Sequence, residues 1–122
     1  MLHESKCKNL HGHRYVVEIT AAAPQLDDLG RVVDFSVIKK IVGGYIDRHW
    51  DHGTIAHQDD FDLIDLCAEK NWKLFTMFDN PTAENMARAL YAISNKLLAD
   101  CGVEVVHVRL YETPNCWADY SE

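Results

Sequence analysis

The sequence predicts an α+β domain in which two long helices lie on one face of an antiparallel sheet. Three observations carry that expectation. Residues 14–23 and 103–112 alternate apolar and polar side chains with the period of a half-buried strand. Between them, apolar residues recur at spacings of three and four in two stretches, which is the signature of helices that bury one face. At 122 residues and 48% apolar content, the chain is large enough for one core and too small for two, so 1–122 is expected to be a single domain.

Each element follows in order. Arg14 to Ala23 is rich in β-branched residues, with Val17 and Ile19 on one face and Val16, Glu18 and Thr20 on the other. Pro24 to Gly30 is turn-forming, and Arg31 to Asp34 is the expected return strand of a hairpin. Helical spacing takes over at Phe35, where Val37, Ile38, Ile41, Val42, Tyr45 and Ile46 form an apolar stripe. Asp34 or Ser36 is available as its cap, and the helix is expected to end between Asp47 and Trp50. Gly43-Gly44 weakens its middle. The stretch from there to Phe78 has the poorest periodicity; it offers a short helix around Phe61 to Lys70 and an extended piece at Lys73 to Phe78. Asn80-Pro81-Thr82-Ala83-Glu84 opens a second long helix, with Thr82 as cap and Glu84 at the positive end of the dipole. Met86, Leu90, Ile93 and Leu97 form its stripe, and Gly102 stops it. The last strand is expected to point Val106, Val108 and Leu110 one way and Val105, His107, Arg109 and Tyr111 the other.

Composition narrows the function. A formal charge of −7 argues against a broad nucleic-acid surface, although Lys6, Lys8 and Arg14 could form a local patch for a small anion. No run of eighteen apolar residues and no signal peptide is evident, so no membrane partner is expected and a cytoplasmic location is. Cys7, Cys67, Cys101 and Cys116 show no CxxC spacing and are expected to be free thiols.

Three polar groupings can carry chemistry. In Cys7-Lys8-Asn9-Leu10-His11-Gly12-His13, two histidines one residue apart share a face if the segment is extended, which makes them a pair of candidate zinc ligands. Gly12 between them permits close backbone approach, and the cations flanking Cys7 favour its thiolate. A polar turn around a small buried thiol fits the same residues. Asp51-His52 at a helix end can place a carboxylate against an imidazole, the arrangement of a proton shuttle; it also arises at helix ends by chance. Glu112, at a strand end before Thr113-Pro114, can accept from an amidine-like N–H pair or be merely solvated.

Taken jointly, Cys-x3-His-Gly-His, a strand, Val-Asp-Phe heading a helix, Asp-His, Asn-Pro-Thr-Ala-Glu and a strand ending in Glu-Thr resemble the family of 6-pyruvoyl- and 6-carboxytetrahydropterin synthases. The likeness runs in order through nearly the whole chain. The three-residue spacing between Cys7 and His11 is similar to that of the queuosine-pathway branch, whereas the biopterin branch usually spaces them further apart. The resemblance implies the tunnelling fold, or T-fold, assembled as a hexamer of two trimers with active sites between subunits. It implies conversion of 7,8-dihydroneopterin triphosphate to 6-carboxytetrahydropterin, with release of triphosphate and acetaldehyde. By the same likeness Cys7 would be the catalytic thiol, Asp51 and His52 its proton-transfer partners, and His11 and His13 the ligands of a Zn2+ cofactor. Glu112 would anchor the pterin ring, with Thr82 and Glu84 near the pocket. The family's third zinc histidine belongs to an N-terminal strand that this chain is expected to lack. The third ligand therefore falls to His3 or lies upstream of Met1. A pyruvoyl-forming synthase and an inactive pterin-binding relative are the alternatives.

Overall fold

The computed structural model of the protein describes residues 15–23 and 35–122. Cys7, His3, His11, His13 and the expected return strand at 31–34 lie outside the described residues. Within them the chain runs β1 (Val16–Ala22), α1 (Phe35–His49), β2 (Thr54–His57), α2 (Phe61–Lys70), β3 (Leu74–Met77), α3 (Ala83–Leu97), β4 (Glu104–Thr113) and β5 (Cys116–Tyr120). Strands β1, β4 and β5 form an antiparallel sheet in the order β1-β4-β5, and β2 and β3 form a separate parallel pair.

Both long helices form where the apolar stripes place them. In α1, Val42 is fully buried, and Ile38, Ile41, Tyr45 and Ile46 pack against the core. The Gly43-Gly44 step leaves the helix unbroken to His49 because burial of that stripe outweighs a propensity cost of about 1 kcal/mol per glycine. Helix α3 starts at Thr82, whose Oγ1 accepts from the Asn85 amide at 3.2 Å. Its most buried face runs through Ala83, Met86, Ala87, Leu90, Tyr91 and Ser94, while Ile93 and Leu97 are only half-buried. The buried face is therefore rotated away from the expected stripe, following i, i+4, i+8 through Met86, Leu90 and Ser94. Complete burial of Leu90 contributes about 1.5–3 kcal/mol. The helix gives way to a 3-10 turn at Ala99–Cys101, and Gly102 ends it in the left-handed region at φ 72°.

Two strands were not anticipated. Residues 54–57 pair in parallel with 74–77, and α2 is the crossover that a parallel pair requires. Asp60 caps α2 by accepting from the Leu63 amide, and Asn71 ends it at φ 57°. Strand β5 follows the Pro114-Asn115 turn and adds the third strand of the main sheet. Arg109 and Asp119 sit opposite each other in that pairing, and the guanidinium donates to the Asp119 carboxylate at 2.7 and 3.3 Å. Arg109 holds the Asp119 carboxyl below the usual carboxylate range.

The face assignment of β4 needs one correction. Val105, expected to point away from the core with His107, is fully buried, whereas Val106 is only half-buried. The cause is a β-bulge: Thr20 pairs with His107 but Ala21 pairs with Val105, leaving Val106 as an extra residue that inverts the alternation beyond it. The Asn95 side chain of α3 holds the bulged segment, donating from Nδ2 to the Val105 carbonyl at 3.0 Å and accepting from the Val105 amide at 2.7 Å. Without that amide, two part-buried backbone groups would lose their partners, at about 1–3 kcal/mol each.

Candidate active site

The Asp51-His52 pair is built by the way α1 ends. The amides of Trp50 and Asp51 both donate to the Ile46 carbonyl at 2.8 Å, and the Gly53 amide donates to the Trp50 carbonyl at 3.0 Å. Trp50 is buried, with its ring edge-on to Phe75 at 5.8 Å, and anchors the turn from below. His52 adopts φ 55°, in the left-handed region that few non-glycine residues enter but where His is enriched. In this geometry the imidazole Nε2 stands 3.7 Å from Asp51 Oδ2, and the two side chains are 93% and 56% exposed. At that distance the two side chains are not hydrogen-bonded, and so exposed a pair contributes little to stability. Its arrangement leaves the imidazole open to a reacting group with a carboxylate beside it.

Glu112 is placed by a second irregularity in β4. Tyr111 pairs with Trp117 and Thr113 pairs with Cys116, so Glu112 is the unpaired residue of the β4–β5 hairpin, and bulges of this kind re-aim a side chain. With Val16, Glu18, Tyr111, Thr113 and Pro114 it lines a pocket of about 470 Å³, within the usual range of small-molecule sites. Tyr111 donates its hydroxyl to Glu18 Oε1 at 3.2 Å along one wall. Burial, and then the charge of Glu112, push the Tyr15 phenol above its ordinary value. Glu18 and Tyr111 were not singled out as site residues; their face was legible, but only the pairing of Val16 with Tyr111 puts them beside Glu112.

Thr82 and Glu84 lie at the start of α3. The Thr82 hydroxyl is engaged in capping α3, and Glu84 is exposed in the first turn. Among the described residues, no hydrogen bond or ion pair links them to Glu112 or to Asp51-His52. Also among the described residues, no group of three or more His, Cys, Asp and Glu side chains could hold a metal ion. The candidate zinc donors His3, His11 and His13 fall outside them, as does Cys7.

The whole sequence, residues 1–122, matches the model of the family described as 6-pyruvoyl tetrahydropterin synthase. The chain belongs to that family. Among curated relatives, one from Rickettsia felis named 6-carboxy-5,6,7,8-tetrahydropterin synthase is 45% identical over 121 residues, spanning 96% of this chain and 86% of the relative. A relative of the same name from Aquifex aeolicus is 36% identical over 126 residues, covering 97% of this chain and 77% of its own length. Among solved structures, that of an uncharacterized protein from Wolinella succinogenes superposes with a TM-score of 0.80 at 24% identity, covering 95% of this chain and 81% of that one. The fold is thus the α+β T-fold expected for this family. No helix among the described residues is long and apolar enough to cross a membrane.

Proposed function

We propose that this protein is a 6-carboxy-5,6,7,8-tetrahydropterin synthase, a carbon-carbon lyase acting on 7,8-dihydroneopterin triphosphate in the cytoplasm as a step toward queuosine. The observation that carries the reading is 45% identity over nearly the whole chain to a relative bearing that name. The pocket at Glu112 supports it chemically. A carboxylate at the end of a strand accepts two parallel N–H bonds from the aminopyrimidine edge of a pterin, a geometry that selects the ring and fixes its orientation.

Proton movement on and off carbon falls to the Cys7 thiolate and to His52. Asp51 Oδ2 lies 3.7 Å from Nε2 of the imidazole proposed to take the proton. His11 and His13 are proposed as zinc donors with His3 as the third, since three imidazoles and one open position make the donor set of a catalytic zinc. When bound, the metal would act as a Lewis acid toward the side-chain hydroxyls of the substrate. The working assembly is proposed to be a hexamer of two trimers.

The purified protein incubated with 7,8-dihydroneopterin triphosphate should release acetaldehyde and triphosphate and form the 6-carboxy product. A product that retains the side-chain carbons as a pyruvoyl group would instead make it the pyruvoyl-forming synthase. Pterin binding without any turnover would make it an inactive relative. The metal proposal has its own measurement. Elemental analysis of His3→Ala should show a sharp drop in zinc, because affinity depends on the full ligand set. Full zinc stoichiometry in that variant would exclude His3 as a ligand.

A further inference from the structure

We infer that Lys73 is the positioning residue for the His52 imidazole, an inference that rests on the proposed role of Asp51 and His52 in proton transfer. Lys73 immediately precedes β3 and is far from this pair in sequence, yet it brackets the turn that carries them. Its ammonium donates to the Asp47 carbonyl at 2.7 Å and also to the Asp51 carbonyl. Its own carbonyl accepts from the Thr54 amide at 2.9 Å, the first bond beyond the turn. Its stem lies over Gly53 so closely that a Cβ there would meet Lys73 Cγ at 3.2 Å and Cδ at 3.4 Å. One lysine therefore contacts residues 47, 51, 53 and 54, while His52 projects from the middle of the bracketed segment into solvent.

Three physical points make this more than a helix cap. A cation at a helix C-terminus needs only the last free carbonyls of the helix, and the Asp47 bond would satisfy that role. The bond to the Asp51 carbonyl lies beyond the helix, on the peptide that leads into His52. That peptide sets the direction of a residue at φ 55°, in the left-handed region that few non-glycine residues enter. Among the described residues, Lys73 makes no ion pair with a carboxylate, so the charge of its ammonium is directed to these two carbonyl oxygens. Within its own chain the imidazole is 93% exposed, so the backbone beneath it, and not packing by the same subunit, sets its direction.

The test compares Lys73→Met, which keeps the stem over Gly53 and removes both donors, with Lys73→Arg, which keeps donors for the two carbonyls. Loss of alignment should lower kcat of Lys73→Met by about tenfold to a hundredfold while KM stays within about twofold, because the ring is held elsewhere. Lys73→Arg should recover most of that loss. The His52 ring resonances, assigned by their disappearance in His52→Ala, should shift in Lys73→Met and return in Lys73→Arg. An unchanged kcat in Lys73→Met, or a loss of kcat with unshifted His52 resonances, overturns the inference. If Lys73→Met does not fold, Lys73→Gln retains a neutral donor and is read by the same two criteria. Full turnover in His52→Ala would instead overturn the proton-transfer reading, and this inference with it. An inactive His52→Ala beside a fully active Lys73→Met would remove Lys73 alone.

Discussion

Cys7→Ala is expected to lower turnover by roughly 10²- to 10⁴-fold while leaving pterin affinity nearly unchanged, the span associated with loss of a positioned proton-transfer group. In the sequence Cys7 is flanked by Lys6 and Lys8, neighbours of the kind that favour a thiolate. Alanine removes both the base and the acid form of that group and leaves the size of the residue almost the same. On the proposed reading Glu112 of β4 holds the ring, so binding and turnover should separate cleanly. Single-turnover kinetics with 7,8-dihydroneopterin triphosphate, together with a direct binding measurement, read the two effects apart. Near-normal turnover would remove Cys7 from the mechanism.

Glu112→Ala should act the other way round, weakening pterin binding by roughly tenfold to a hundredfold. Each hydrogen bond to a charged group contributes about 1.5–3 kcal/mol, and about 1.4 kcal/mol is a factor of ten in affinity. Glu112 is only half-buried and makes no backbone ladder bond that depends on its side chain, so the fold should tolerate the change. Glu112→Gln, which exchanges one acceptor for a donor, should fall between the two. Isothermal titration with a non-reacting pterin measures the loss; an affinity equal to that of the unaltered protein would mean that the ring is anchored elsewhere.

Local pattern alone determined the long elements and the family. The apolar stripe of α1, the Thr82 cap of α3 and the alternation of β1 are each written in residues within one or two turns of each other, so each could be read without knowledge of the rest. The order of Cys7, His11, His13, Asp51, His52 and Glu112 along the chain carried the family for the same reason, since motif spacing is a property of the chain and not of its packing. Strands β2 and β5 escaped because four- and five-residue strands are defined by their partners more than by their own periodicity.

What only the tertiary structure decided are the departures from regularity. The inverted faces of Val105 and Val106 come from a bulge that exists only when β1 and β4 pair, and it is held by an asparagine on a helix ten residues away. Glu112 joins Glu18 and Tyr111 around one pocket because strands distant in sequence lie side by side. Lys73 reaches the Asp51-His52 turn because the parallel pairing of β2 and β3 brings residue 73 beside residue 54. In all three, the deciding hydrogen bond joins residues that no local period relates, and such contacts are specified by packing, where the sequence carries no short-range signature of them.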